Sequence, residues 1–146
     1  MPIAINGSGT ITGISVGGIP DGTVDTDVLA ANAVTYAKIG TTEQGQLCKA
    51  WVNFNGTSTV AIRASYNVSS ITDNGTGDYT VNFTTALADA NYAALSTTEA
   101  DSSADSRYIA PLKFNARTTS TLGVFAGASS ANTKLDVAYI AIAIFR

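Results

Sequence analysis

Side-chain alternation in residues 59–84 constrains the fold of this chain more than any other feature of its sequence. Apolar residues occupy every second position of the first half: Val60, Ile62, Ala64, Tyr66 and Val68. The same alternation returns in the second half: Tyr79, Val81 and Phe83. A period of two residues is typical of a β-strand with one buried face. Residues 73–78, between the two halves, are rich in Asn, Asp and Gly, which tolerate the positive φ angles of tight turns. The segment therefore predicts a β-hairpin.

Further strand signals follow at fairly regular spacing from about Leu47 onward. Turn-forming residues separate most of the predicted strands, which cover residues 50–54, 59–71, 78–84, 91–97, 107–118, 121–126 and 135–145. About seven strands with short connections favour two packed antiparallel sheets. We therefore predict an all-β protein in which residues 47–146 form a jelly-roll-like β-sandwich head.

Two of these predicted strands carry additional information. Pro111 lies inside the strand predicted at 107–118, and because proline cannot donate to a sheet ladder we expect an edge strand or a bulge there. The last strand is apolar at both alternating sets of positions between residues 137 and 145. Both of its faces should therefore be covered, one by the core and the other by a subunit interface.

Residues 1–46 differ in character from the head. Glycines interrupt the scattered Ile and Val residues of positions 1–24, so we expect this arm to gain order only against other copies or a receiving protein. Asp25 is a suitable N-cap, and the sequence predicts a short helix at about 26–38. Gly40 and Gly45 then indicate a linker.

Composition excludes several classes of function. Charged residues make up 13% of the chain and the eight basic residues are scattered, so we expect no nucleic-acid partner. The chain contains no histidine, which excludes Ser-His-Asp catalysis and histidine metal sites. The single cysteine, Cys48, has no partner for an internal disulfide. Residues 137–145 are far shorter than the ~20 apolar residues of a membrane-spanning helix, so we expect no membrane insertion.

Carboxylate pairs are the remaining candidates for catalysis. Asp73 and Asp78 flank one predicted turn, and three acidic residues crowd another segment: Glu99, Asp101 and Asp105. Two carboxylates suffice for a glycosidase, and carboxylate-rich loops can hold Ca²⁺. Aspartate also begins and ends turns through side-chain to backbone hydrogen bonds, which is our interpretation of Asp73 and Asp78. We therefore predict no catalytic residue, no metal site and no cofactor, with a glycan-cleaving enzyme as an alternative.

Two polar loops are predicted to bind a sugar or another polar surface group, because clustered hydroxyls and carboxylates can satisfy the hydrogen bonds of a glycan. The candidate receptor-binding residues are Glu99, Asp101, Ser102, Ser103, Asp105, Ser129, Ser130 and Asn132. Simple solvation of surface loops is the alternative interpretation. Four aromatic residues could stack on sugar rings, but their strand patterns favour the core for each: Trp51, Tyr66, Tyr92 and Tyr108.

Two stretches of the chain resemble tail fibre proteins of tailed bacteriophages and prophages. The first, which is similar to the opening of such fibres, reads INGSGTITG at 5–13, GIPDGTV at 18–24 and ANAVT at 31–35. The second, which is similar to their C-terminal head, reads KAWVNFNG at 49–56, AIRASYNV at 61–68 and GDYTVNF at 77–83. Together they cover roughly half of the chain.

The resemblance implies a virion protein that forms a homotrimer. Its N-terminal arm would attach to a tail or baseplate protein, through the apolar residues Ile3, Ile5, Ile11, Ile14 and Val16. Its head would point outward and bind a host surface polysaccharide or another receptor. A purely structural connector or decoration protein of the virion is the alternative function. The chain is short for a fibre and has no long shaft, so a short fibre or a fibre tip is expected.

Overall fold

The computed structural model describes residues 4–5, 11–12, 29–99, 107–110, 113, 116–128 and 133–146, and for residues 4–5, 11–12, 107–110 and 128 the description concerns the backbone. The chain divides into two compact units, Met1–Gly40 and Thr41–Arg146. The division into arm and head at residues 46 and 47 stays a prediction.

The first unit contains little regular structure among its described residues. Strand β1, Ala4–Ile5, pairs antiparallel with β2, Ile11–Thr12. The helix predicted at about 26–38 is wrong in its described part, where the only helical segment is a 3₁₀ turn at Tyr36–Lys38. Asn32 has a φ of 64°, and this left-handed conformation interrupts a right-handed helix.

The second unit begins with a short helix, α1, at Thr41–Gln46, where the sequence indicated only a linker. Nine strands follow among the described residues of this unit: β3 Cys48–Asn55, β4 Ala61–Tyr66, β5 Val68–Asp73, β6 Asp78–Phe83, β7 Ala93–Thr98, β8 Arg107–Ala110, β9 Thr121–Ala128, β10 Thr133–Lys134 and β11 Ile140–Phe145. The all-β prediction is confirmed, because the described chain is mostly strand.

The strands form two antiparallel sheets. One has the order β4-β3-β11-β7, and the other has the order β10-β9-β6-β5 with β8 also paired to β9. Their buried faces supply one apolar core, which includes Val52 and Phe54 from β3, Tyr79 from β6 and Ile140 from β11. The rings of Phe54 and Tyr79 meet edge to face with their centroids 5.3 Å apart, which joins the two sheets.

The predicted Asn-Gly hairpin is confirmed for β5 and β6, which pair from Val68 with Phe83 to Asp73 with Tyr79. Gly75 and Gly77 both have positive φ angles, 117° and 60°, as the turn chemistry required. The backbone N–H of Gly75 donates to the Asp73 carboxylate over 2.9 Å, which supports the interpretation of Asp73 as a turn residue.

The single strand predicted at 59–71 is wrong, since the chain breaks there into β4 and β5, which belong to different sheets. The break occurs at Asn67, whose φ is 55°. A left-handed residue turns the chain sharply, so it can pass from the edge of one sheet to the edge of the other. The alternation of apolar residues continues across this corner and therefore conceals it.

Two other predicted strands are shorter in the structure. The strand predicted at 107–118 ends as β8 at Ala110, and Arg117 forms only an isolated bridge to Leu122. Pro111 lies outside the described residues. The strand predicted at 135–145 begins only at Ile140. Its isoleucines enter the core, whereas Ala141, Ala143 and Phe145 lie on the opposite face and are half-buried.

Candidate functional site

The outer face of the β4-β3-β11-β7 sheet, opposite the core, is the most unusual surface of the described chain. In β3, Ala50, Val52 and Phe54 are buried, and Trp51 therefore points to the other side of the sheet, where 39% of it is exposed. Tyr66 is 58% exposed and Leu95 is 59% exposed. Large apolar side chains are here left in contact with water.

The strand register aligns these side chains across the whole sheet. Trp51 pairs with Tyr66 of β4 on one side and with Ala143 of β11 on the other, and Ala143 pairs in turn with Leu95 of β7. We call these four residues the outer row. Directly opposed residues of antiparallel strands lie within about 4.5–5.5 Å, so the outer row is one continuous strip.

A shallow trough of about 340 Å³ lies along this strip, between Trp51 and Leu95. Ala141 and Ala143 form its floor, Trp51 and Leu95 line it from either side, and Asn53 also contributes to its lining. The small alanine side chains of β11 are what leave this space open. The trough is neutral and almost wholly apolar, so it suits another apolar surface.

Arg63 and Tyr139 lie near this trough. The guanidinium of Arg63 lies 4.0 Å from the centroid of the Tyr139 ring, and its Nη1 donates to the Asn53 Oδ1 over 3.5 Å. Arg63 sits where the pairing of β4 with β3 shifts register, at a β-bulge. A bulge with a charged residue is a common device for protecting an edge strand from unwanted pairing.

A second depression, of about 350 Å³, lies at the corner between β4 and β5. Four residues line it: Tyr66, Asn67, Thr84 and Thr85. The Asn67 side chain donates to the carbonyl of Lys49 over 3.2 Å and to that of Thr85 over 3.1 Å, and it accepts from the Thr85 N–H over 2.8 Å. One amide thus fastens the corner to both sheets.

Asp78, one of the two carboxylates that flank the Asn-Gly turn, is held in an ion-pair cluster. Lys134 Nζ lies 2.8 Å and Lys113 Nζ 3.0 Å from its Oδ2. Burial alone would raise the pKa of Asp78, but the hydrogen bonds from Lys134 and Lys113 outweigh this effect and lower that pKa below its ordinary value of 3.8. A carboxylate held in this way is permanently charged at neutral pH and serves the fold.

Tyr79, the residue after Asp78 in β6, places a hydroxyl that hydrogen-bonds to two connecting segments of the chain. Tyr79 Oη lies 2.9 Å from the carbonyl oxygen of Gly56 and 2.8 Å from Oδ1 of Asp136, which also accepts from the Gly77 N–H. Burial, together with the hydrogen bond to Asp136, raises the pKa of Tyr79. The phenol therefore stays protonated and acts as a structural donor.

The predicted receptor-binding residues fall mostly outside the described chain. Glu99 is described and exposed, and its N–H donates to the carbonyl of Tyr139 over 3.2 Å. The other candidates lie outside the described residues: Asp101, Ser102, Ser103, Asp105, Ser129, Ser130 and Asn132. Among the predicted attachment residues, Ile5 and Ile11 pair with each other across β1 and β2. The remaining three also lie outside: Ile3, Ile14 and Val16.

The aromatic residues correct another prediction. Tyr92 is buried as expected, but Trp51 and Tyr66 are exposed, so placing them in the core was wrong. The position of Trp51 between Ala50 and Val52 shows only that it points to the face opposite theirs, and which of the two faces is buried depends on the second sheet. For Tyr108 the structure describes only the backbone, so its predicted place in the core stays a prediction.

Comparisons with protein-family models, curated proteins and solved structures returned no match. Among the described residues, no group of three or more His, Cys, Asp or Glu side chains could hold a metal ion. In the same part of the chain, none of the helices has the length and apolar character needed to cross a membrane. The geometry of the outer face is therefore the main evidence that bears on function.

Proposed function

We propose that this protein is a non-enzymatic tail fibre protein of a bacteriophage virion, built as a homotrimer. Its N-terminal arm attaches to a tail or baseplate protein, and its β-sandwich head binds the host cell surface. The proposal draws on the resemblance of residues 5–35 and 49–83 to such fibres. It also draws on the two-sheet architecture of Thr41–Arg146.

The observation that carries the proposal is the outer row of Tyr66, Trp51, Ala143 and Leu95. Continuous apolar strips on a protein surface commonly mark interaction sites. The trough floor of Ala141 and Ala143 can accept a bulky side chain from a facing surface. We assign the trough to contacts between subunits, which is the second cover that the last strand was predicted to need.

Trimeric assembly also suits a weak receptor contact. Three heads on one mount face the same cell surface, so the second and third contacts form at high effective concentration. The low content of charged residues, 13% of the chain, favours recognition of uncharged surface groups by hydrogen bonding and packing. No acid–base chemistry is required of the head in this role.

Two measurements on the purified full chain test the proposal. Light scattering should give a solution mass near 45 kDa, three times the chain mass of 14.9 kDa, and the protein should bind to host cells and compete with virion adsorption. A monomer at all concentrations would refute the trimer. A trimer that neither binds host cells nor competes with virion adsorption would indicate the structural connector instead.

A further inference from the structure

The corner between β4 and β5 carries a second pocket, with both apolar and polar lining atoms, that shares no lining residue with the apolar trough. It has a volume of about 350 Å³ and is lined by Tyr66, Asn67, Thr84 and Thr85. Tyr66 ends β4, Asn67 is the left-handed corner residue, and the two threonines directly follow β6. A volume of this size lies within the range of small-molecule sites.

Hydrogen bonds fix the backbone around the pocket. The Asn67 side chain binds the carbonyls of Lys49 and Thr85 and accepts from the Thr85 N–H, while the Thr84 N–H donates to the Asn67 carbonyl over 3.2 Å. These bonds tie β3, the corner and the end of β6 together. A ligand would therefore meet preformed walls, and little ordering would oppose its binding.

The lining offers one apolar wall and several neutral polar groups. More than half of Tyr66 is exposed, and Thr84 and Thr85 are exposed as well. Within the described chain, the hydroxyls of Thr84 and Thr85 have no hydrogen-bond partner, so each can donate one bond and accept two. The four lining residues include no charged side chain.

This combination matches the chemistry of a pyranose ring. Such a ring presents a C–H face that packs on an aromatic side chain, and its edge carries hydroxyls that donate and accept hydrogen bonds. A sialic or uronic acid would bring a carboxylate to a wall that has no cation to pair with it. We propose that the corner pocket binds one residue of an uncharged polysaccharide, with Tyr66 as its stacking wall.

The inference deepens the proposed host-binding role and rests on it for the source of the sugar. It places receptor contact at the β4–β5 corner, away from the polar loops at 99–105 and 129–132. Tyr66 lies at the end of the outer row, and the trough and the pocket share no lining residue. The trough and the pocket can therefore serve assembly and recognition separately.

Binding is tested on the full chain labelled with ¹⁵N, by titration with glucose, galactose, mannose and N-acetylglucosamine. At least one of these sugars should shift the amide signals of Asn67, Thr84 and Thr85 saturably, whereas glucuronic and N-acetylneuraminic acids should not. The Thr84→Val and Thr85→Val variants should each weaken binding about tenfold, because a lost hydroxyl leaves a sugar group unpaired. Thr59→Val removes an exposed hydroxyl from the connection between β3 and β4, outside both the trough and the pocket, and should bind like the native protein.

The proposal is overturned if no neutral sugar shifts these amides, if the acidic sugars bind there equally well, or if both valine variants keep full affinity. Saturation-transfer spectra of the sugars with the unmodified chain provide a second readout that needs no variant to fold. Cell adsorption measured in parallel separates the hypothesis of a sugar-binding corner pocket from the hypothesis of a tail fibre role. Adsorption without sugar binding overturns the pocket alone, whereas sugar binding by a monomer that does not adsorb overturns the fibre role alone.

Discussion

Replacing Asn67 by alanine should destabilise the protein by about 3 kcal/mol. The side chain makes three hydrogen bonds, to the Lys49 carbonyl and to both the carbonyl and the N–H of Thr85. Two of the three are solvent-exposed, so we assign about 2 kcal/mol to the set. The φ of 55° adds about 1 kcal/mol, because alanine is strained in the left-handed region whereas asparagine tolerates it.

The assay is urea unfolding followed by far-ultraviolet circular dichroism at one fixed protein concentration, because association contributes to the apparent stability of an oligomer. Asn67→Gly separates the two contributions. Glycine loses the same hydrogen bonds but accepts the positive φ, so this variant should be about 1 kcal/mol more stable than the alanine variant. Asn91→Ala, at an exposed position outside the corner, should change stability by less than about 0.5 kcal/mol.

Two results would refute the reasoning. If Asn67→Ala is as stable as the native protein, the corner is not fastened by this side chain. If the alanine variant equals or exceeds the glycine variant in stability, the left-handed backbone carries no cost. In the first case, the passage of the chain between the two sheets would have to depend on residues other than Asn67.

Three further perturbations test other parts of the structure. The pKa of Asp78 is lowered in the folded state, so its ion pairs stabilise the protein at pH values above its ordinary pKa of 3.8, and this stability is lost as the pH falls through the lowered value. In urea unfolding, Asp78→Asn should therefore have a lower free energy of unfolding than the native protein at pH 7. Between pH 7 and pH 3 the free energy of unfolding should fall less for this variant than for the native protein. Gly56→Ala should lower the free energy of unfolding by at least about 2 kcal/mol, since the added Cβ would lie 2.6 Å from the buried hydroxyl oxygen of Tyr79. In Gly45→Ala the added Cβ has no atom within 4 Å, so by the same urea assay this variant in α1 should be as stable as the native protein or up to ~1 kcal/mol more stable. Leu95→Ala truncates a side chain that is 59% exposed on the outer face, and covering that side chain in a trimer contributes about 1.5 kcal/mol per subunit. In sedimentation analysis the trimer of this variant should therefore begin to dissociate at a higher protein concentration than the native trimer. Leu47→Ala, at another exposed leucine, should not alter the mass, and equal behaviour of the two variants would contradict the assigned interface.

Local turn chemistry made one part of the fold readable from the sequence. The Asn-Gly segment between Asp73 and Asp78 has few alternatives, because positive φ angles and a side-chain cap act within six residues of each other. The pairing of β5 with β6 follows directly from it. The strand predicted at 50–54 is present as β3, which extends from Cys48 to Asn55, and the turn-forming pair Asn55-Gly56 marks its end.

Longer-range features could not be predicted in this way. The corner at Asn67 depends on partners that are 18 residues away in both directions, at Lys49 and Thr85. A pattern of period two records only which face of a strand is apolar, and the alternation from Val60 to Val68 runs from β4 into the start of β5, although these strands belong to different sheets. The pocket that forms at this corner was for the same reason absent from the predicted site.

The exposure of Trp51 on the outer face is a second feature that could not be predicted from the sequence. Trp51 was expected in the core because large aromatic residues usually lie there. Its exposure follows from the burial of Ala50 and Val52, and from the pairing of β11 with β3, which places the small Ala143 beside it. Which face of an apolar strand turns inward is decided by the second sheet, and the sequence of β3 alone does not contain that information.

The position of Trp51 also gives the protein a built-in optical reporter. It is the single tryptophan of the chain, so all indole emission originates from the centre of the outer row. Covering this face should shift that emission toward the blue and shield it from soluble quenchers, with no label attached. Docking of the head onto another surface can thus be followed in real time, on unmodified material.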